Sequence, residues 1–256
     1  LSAAKFDQNY NSQYSYIAKV GYPMGMMYGF IYEGTYKYED FDKVGDTYTL
    51  KRNVPYFSSE SNTQPGMPKY ADLNGDGIID DNDRTMIGNG MPKHTGGFTN
   101  NFEYKGFDLS IFFQWSYGND VLNANRLFFE NSNKTRDLNQ YASYADRWTP
   151  ENPESNIPRA TDSGSNKVFS TRIIEDGSFL RLKTVSLGYT LPKQLTKKWK
   201  IDNARVFVAG QNLWTCTGYS GYDPEVSIRE GALTPGLDFS AYPRAYSISF
   251  GINLGF

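Results

Sequence analysis

The densest chemistry in this chain lies in one acidic loop, Asp72-Leu-Asn-Gly-Asp-Gly-Ile-Ile-Asp-Asp-Asn-Asp83. Its oxygens fall at the spacing of a calcium loop: Asp72 at position 1, Asn74 at 3, Asp76 at 5, the Ile78 carbonyl at 7, Asp80 at 9 and Asp83 at 12. Gly77 stands at position 6, where such a loop turns sharply. Asp72, Asp76, Asp80, Asp81 and Asp83 would repel one another without a cation, so the pattern predicts a structural Ca²⁺ that staples the loop. Asp83 replaces the usual long bidentate Glu. Pro65, Pro68, Gly88 and Gly90 flank the loop where a sensor would have helices. The competing reading is a hydrogen-bonded Asp/Asn/Gly turn cluster with no ion.

Other chemistry is thin. His94 is the single histidine and Cys216 the single cysteine. A serine–histidine triad, a multi-histidine zinc site and a disulfide framework are all disfavoured. His94 sits in Met91-Pro-Lys-His-Thr-Gly96 with no acid or nucleophile placed beside it, so no enzyme is expected. The net charge of −2 offers no basic field for nucleic acid.

The elements around the loop are strands. Tyr242–Phe256, YPRAYSISFGINLGF, carries Tyr242, Tyr246, Ile248, Phe250, Ile252, Leu254 and Phe256 on one parity, interrupted by Arg244. Ala245, Ser247, Ser249, Gly251 and Asn253 occupy the other. Alternate side chains of a strand point to opposite faces, so one face is apolar and the other polar. Phe107–Tyr117 repeats the pattern with Phe107, Leu109, Ile111, Phe113, Trp115 and Tyr117, and Lys105-Gly106 joins it to Phe98–Tyr104 through a tight turn. Met24–Tyr36, Ser178–Leu191 and Ala204–Leu213 complete six expected strands. The parity of the first half of Ser178–Leu191, and that of Ala204–Leu213, is mixed.

Aromatic residues make up 16% of the chain, with 20 Tyr and 17 Phe. Tyrosine is costly in a core, where its hydroxyl needs a partner, and is well placed at a membrane–water boundary. No apolar run reaches the roughly 18 residues of a membrane helix. Short connections alternate with three long polar ones, 37–97, 118–177 and 214–241, as in a barrel with short periplasmic turns and long outer loops. The expected fold is all-β, part of a transmembrane antiparallel β-barrel with extracellular loops. Six strands fall short of the roughly eight of the smallest barrels, so further strands are expected elsewhere.

A set of short segments stands in order along the chain: Gly21-Tyr-Pro-Met-Gly25, Tyr70-Ala-Asp-Leu-Asn-Gly-Asp-Gly-Ile-Ile-Asp80, Tyr104-Lys-Gly-Phe-Asp-Leu-Ser110, Arg147-Trp-Thr-Pro-Glu-Asn-Pro153, Ser178-Phe-Leu-Arg-Leu-Lys183, Leu187-Gly-Tyr-Thr-Leu-Pro192, Gln211-Asn-Leu213 and Gly221-Tyr-Asp-Pro-Glu225. Taken together, the ordered set resembles the C-terminal part of the SusC/RagA-like TonB-dependent transporters of the Bacteroidota outer membrane. The resemblance implies a 22-stranded barrel with a plug that is absent here. It also implies TonB coupling through a missing N-terminal part and a SusD-like surface lipoprotein acting as a lid. The implied function is import of a nutrient oligomer, glycan or peptide, across the outer membrane. Trp148, Tyr144, Trp214 and Tyr222 are candidate contacts for substrate or lid, with Arg147–Pro153 the leading lid surface. The alternative from another class is a soluble, calcium-loop-bearing adhesion or binding module. It leaves the lipid-type alternation of Phe107–Tyr117 and Tyr242–Phe256 unexplained.

Overall fold

The computed structural model describes residues 4–7, 14–131, 139–161, 168–228 and 231–256. The expected long connections 118–177 and 214–241 therefore lie partly outside the described residues. The chain divides into two compact units that interleave along the sequence. One comprises Leu1–Met91, Asp120–Glu175 and Val226–Ala241, and the other Pro92–Asn119, Asp176–Glu225 and Tyr242–Phe256.

The second unit is a five-stranded sheet of β1 (His94–Tyr104), β2 (Phe107–Tyr117), β3 (Phe179–Thr190), β4 (Asn203–Thr217) and β5 (Ser247–Gly255), in that order. Every neighbouring pair is antiparallel. The sheet is open, with β1 and β5 at its edges. The β1–β2 hairpin turns through Lys105 (φ 48°) and Gly106 (φ 87°), the two positive φ angles of a tight primed turn. A Cβ on Gly106 would lie 2.8 Å from the Thr190 carbonyl oxygen, so close packing as well as φ requires glycine. Three expected boundaries move. β1 begins at His94, not Phe98, β4 runs through Trp214 to Thr217, residues expected to start a loop, and β5 begins at Ser247, not Tyr242.

A bulge resolves the mixed parity of β3. Leu182 pairs with Phe113 and Thr184 with Phe112, leaving Lys183 without an opposite residue. The apolar set therefore switches from even numbers (Leu180, Leu182) to odd (Val185, Leu187, Tyr189) while staying on one face. β4 compensates on its side: Gln211 pairs with Thr184 and Trp214 with Leu182, and Asn212 in between takes a positive φ of 52°.

Met24–Tyr36 is not a wall strand. It forms two short strands in different sheets, Met26–Gly29 beside Thr85–Asn89 and Tyr32–Thr35 beside Pro68–Tyr70. A strand facing lipid exposes one parity, but Met27, Phe30, Thr35 and Tyr36 are all buried. Gly29 lies so close to the Phe169 carbonyl that a Cβ would overlap it, and the Phe30 N–H donates to that carbonyl at 3.0 Å. The wall among the described residues thus has five strands where six were expected.

The first unit gathers small sheets and turns around three apolar clusters. One joins Tyr16, Met27, Leu122, Leu127, Phe169, Ile173 and Leu237. A second joins Phe30, Tyr70, Ile79 and Val168, and a third Tyr36, Phe41 and Leu50. Its polar centre is Glu130, 3% exposed, at the end of the helix Asn125–Phe129. Arg126 donates to both carboxylate oxygens at 3.0 and 3.1 Å, Arg172 to one at 2.8 Å and Ser143 to the other at 2.6 Å. Burial alone would raise the Glu130 pKa. The hydrogen bonds of Arg126 and Ser143 and the charges of both arginines outweigh it and hold the carboxyl below its ordinary value.

A depressed folded pKa means that this stabilisation is complete above the unfolded value of about 4.3 and is lost as pH falls through the folded one. Glu130→Gln, which leaves the arginines facing a neutral amide, should cost about 2 kcal/mol at pH 7, discounted for the partly exposed Arg126. Protection of first-unit amides from hydrogen exchange at pH 7 and pH 3.5 checks this. The gap between wild type and variant should narrow at the lower pH.

Candidate functional site

Residues directly opposite in an antiparallel sheet share a face. The registers therefore set rows across the five strands. Tyr104, Phe107, Tyr189, Val206 and Ile252 form one row, and Phe102, Leu109, Leu187, Val208 and Phe250 the next. Asn100, Ile111, Val185, Gly210 and Ile248 follow, then Phe98, Phe113, Leu182 and Trp214, and then Gly96, Trp115, Leu180 and Cys216; Asn100 is the one strongly polar member. This face is continuous and uncovered within its unit: Phe250 is 81% exposed and Ile252 68%. A soluble protein rarely leaves such an apolar area in water. The opposite face carries Asn101, Ser110, Ser186, Ala209 and Ser249 in one row, with Glu103, Asp108, Gly188, Phe207 and Gly251 beside it. On that face Arg205 pairs with Asp108 across Gly188.

The dimensions fit a bilayer. The residues Phe107–Tyr117 span about 34 Å at about 3.4 Å each, and a strand tilt of about 40° reduces this to roughly 26 Å, close to the 25 Å apolar band of outer-membrane barrels. Aromatics gather at both ends of the face, as interfacial girdles do. Tyr104, Phe107 and Tyr189 mark one end, with Phe107 and Tyr189 ring centroids 4.5 Å apart. Trp115, Tyr117 and Trp214 mark the other. His94 belongs to this second girdle: its ring stacks on Tyr117 at 5.1 Å and its Nδ1 accepts from Trp115 Nε1 at 3.2 Å.

At the second-girdle end, a charged clasp on the polar side ties the connection after β4 to β3. Arg181, 2% exposed, donates to Asp223 at 2.6 Å, to Glu225 at 3.2 Å and to Thr215 at 3.0 Å. Arg244 adds a bond to Glu225 at 2.6 Å. Sequence reasoning missed this network. Its signal was the pairing of Arg181 and Lys183 in one segment with Asp223 and Glu225 in another, and a signal of charge alone does not reveal which segments meet.

The acidic loop is ordered by its own hydrogen bonds. Asp72 accepts from the N–H groups of Gly75 and Gly77 at 2.7 and 2.8 Å. Asp83, fully buried, accepts from Leu73, Asn74 and Asp80. Asn74, Asp76 and Asp80 close local turns onto the N–H groups of Asp76, Ile78 and Asn82. Ile78 pairs in parallel with Tyr56, and the buried Ile79 pins the loop to the second apolar cluster. Among the described residues no three acidic, histidine or cysteine side chains are gathered as a metal centre requires. The carboxylates as placed cap backbone and do not converge.

The four aromatic candidates separate. Tyr144 and Trp148 are buried, at 4% and 5% exposure. The Trp148 indole covers Gly66 so closely that a Cβ there would overlap it. Tyr38 packs at 5.6 Å from the indole, and the Arg159 guanidinium lies over it. Large polar connections need internal packing, and Trp148 supplies it. Trp214 is a girdle residue opposite Leu182. Tyr222 remains, 84% exposed.

Leu187 and Ser186 are adjacent in sequence and face opposite sides of the sheet. In the intact polypeptide refolded into lipid vesicles, Leu187→Lys should cost about 2–4 kcal/mol of folding free energy and Ser186→Lys less than about 1 kcal/mol. Urea titration of tryptophan fluorescence reads both, and equal costs would remove the lipid-facing assignment.

No protein-family model matches the chain. It is 34% identical over 247 residues to TonB-dependent receptor P3 of Formosa agariphila, a match covering 94% of this chain and 23% of the relative. It is 39% identical over 197 residues to TonB-dependent receptor P26 of the same organism, covering 75% of this chain and 20% of the relative. TonB-dependent receptor SusC of Bacteroides thetaiotaomicron is 28% identical over 77% of this chain and 18% of its own length. Among solved structures, that of the RagAB peptide transporter superposes on all of this chain with a TM-score of 0.74 at 25% identity, over 24% of the matched chain. The chain thus spans about a quarter of the length of the relatives it matches. Sequence, strand register and superposition agree that this chain belongs to the SusC/RagA-like TonB-dependent receptors of the outer membrane.

Proposed function

We propose that this chain forms part of the barrel wall of an outer-membrane importer of nutrient oligomers. The observation that carries the reading is the face of β1–β5 that is apolar apart from Asn100, backed by a face that is small and polar apart from Phe112 and Phe207. The apolar face suits lipid, and the other suits a hydrated lumen. In this reading the unpaired edges of β1 and β5 meet the remaining strands of the barrel, and a plug and TonB contact lie in other parts of the polypeptide. The long connections 37–97, 118–177 and 214–241, the last bearing Tyr222, stand outside the cell, beneath a SusD-like lipoprotein lid. The chain itself has no catalytic role. Peptides are the first substrate class to test because the neighbouring solved structure is a peptide transporter; glycans are the second.

The test is isolation of the intact polypeptide from its native outer membrane in mild detergent. A surface lipoprotein should co-purify at equal stoichiometry. Mass spectrometry of the washed complex should recover peptides or oligosaccharides of a few residues. Extraction without detergent, or a complex that retains neither lipoprotein nor oligomer, would sink the importer reading.

We further propose that the 72–83 loop takes up Ca²⁺, on the chemistry of its hard oxygen donors. Binding would turn the exposed Asp76 and Asp80 carboxylates from their local turns toward those of Asp72 and Asp83. Chelation should then raise protease cleavage within the loop several-fold, with restoration by Ca²⁺ and not by Mg²⁺. Unchanged cleavage would assign the loop's order to its hydrogen bonds alone.

A further inference from the structure

The connection between β3 and β4 carries chemistry that neither the wall nor the lid uses. Its sequence from Lys193 to Lys200 is KQLTKKWK, with Lys193, Lys197, Lys198 and Lys200 as cations and no acid among them. It folds as a helical turn, Lys193–Thr196, continued by a 3₁₀ turn, Lys197–Trp199, and ends at Lys200 in the left-handed region (φ 56°). Thr196 is its buried anchor, 1% exposed. The four lysines are exposed, and none has an ion pair among the described residues. Leu195 and Trp199, four residues apart, are exposed at 49% and 64%.

An aromatic and a leucine held in water beside four unpaired lysines are an expensive arrangement unless something amphipathic covers them. The location names the cover. The connection leaves β3 directly after Tyr189 and Thr190, and the Thr190 N–H donates to Gly106 in the β1–β2 turn at 2.7 Å. It therefore stands at the end of the sheet marked by Tyr104, Phe107 and Tyr189, where the apolar face stops. Lys105 in the neighbouring turn lies over the Tyr104 ring and adds a cation at the same end. A surface that continues a lipid-facing wall into exposed tryptophan, leucine and lysine matches the composition of a membrane interface: apolar stems and rings at the acyl boundary, ammonium groups at the phosphates.

We propose that the Lys193–Lys200 turn, with Lys105, is a docking surface for anionic phospholipid headgroups in the leaflet at the short-turn end of the wall. The inference rests on the membrane-wall reading above. Trp199 and Leu195 enter the acyl boundary and the lysines bind headgroup phosphate, with preference for phosphatidylglycerol over zwitterionic phosphatidylethanolamine. Each lysine near an anionic surface contributes on the order of a five-fold gain in lipid retention, weakening with salt.

The experiment uses the intact polypeptide in nanodiscs made of phosphatidylethanolamine alone or with phosphatidylglycerol, each lipid brominated in turn on its acyl chain near the headgroup. The difference in tryptophan quenching between wild type and Trp199→Phe reports on Trp199. Brominated phosphatidylglycerol should quench Trp199 at least three-fold more than brominated phosphatidylethanolamine at equal mole fraction. The variant with Lys193, Lys197, Lys198 and Lys200 all changed to Gln, or salt at about 0.5 M, should abolish that preference. A Phe250→Trp reporter on the wall should be quenched in every sample. Quenching at Phe250→Trp but none at Trp199, or equal quenching by both lipids in wild type, overturns the headgroup site and leaves the wall standing. Absence of quenching at Phe250→Trp overturns the wall itself.

Discussion

Strand register is the constraint on which the sheet depends. Side chains alternate with a period of two, so a slip of one residue in any strand would carry its phenylalanines and leucines to the hydrated side and its serines into lipid. The five strands hold one apolar face in spite of an irregularity that would ordinarily break it. The bulge at Lys183 shifts β3 by one residue, and β4 answers with the extra length around Asn212. Apolar side chains on both sides of the bulge therefore stay aligned with Phe113 and Ile111 of β2. The cost of misalignment in hydrocarbon, several kcal/mol for each stranded polar group, explains why the compensation occurs in the neighbouring strand and at the same height.

How much of this was legible in the sequence follows from the same constraint. β2 and β5 read most readily because one apolar parity runs along each of them, although Phe112 stands on the other parity of β2 and the strand expected from Tyr242 begins at Ser247. β3 did not, because a bulge cannot be seen in a single strand; it exists only relative to the partner's register. Met24–Tyr36 misled for another reason. Its Gly, Met and Tyr content resembles a barrel strand, but burial on both parities is decided by segments more than a hundred residues away, such as Phe169. The acidic loop was found at its full extent from spacing, while the orientation of its carboxylates toward backbone N–H groups was beyond any spacing rule. Trp148 and Tyr144 were visible as large aromatics in a polar stretch. Whether such residues pack inward or outward depends on whether the stretch has a core, and three apolar clusters show that it does.

The first unit illustrates how a polar sequence builds an interior. Its apolar clusters are small, and Glu130 with Arg126, Arg172 and Ser143 supplies a fixed point between them. Arg126 holds the carboxylate from within the same helix, while Ser143 and Arg172 reach it from 13 and 42 residues away, so the carboxylate ties separate segments to that helix. Such a centre contributes less by its net energy than by excluding other arrangements of the same chain. The Arg181 clasp does the same in the second unit, where a single guanidinium fixes the course of the chain between β4 and β5.

The interleaving of the two units imposes an order in time. The first unit receives its last piece, Val226–Ala241, only after the residues of β1 to β4 have been made, and that piece brings Leu237, which is fully buried and pairs beside Leu122. β5 comes later still. The hairpin of β1 and β2 can close early through its two-residue turn, but β2 and β3 must find each other across a separation of about sixty residues, with a slow, entropically costly search. During synthesis and transit the chain therefore carries its lipid-seeking residues with neither unit complete. The local cluster of Tyr36, Phe41 and Leu50 and the four strands β1 to β4 lie upstream of these closing pieces, so parts of both units can form before either is complete.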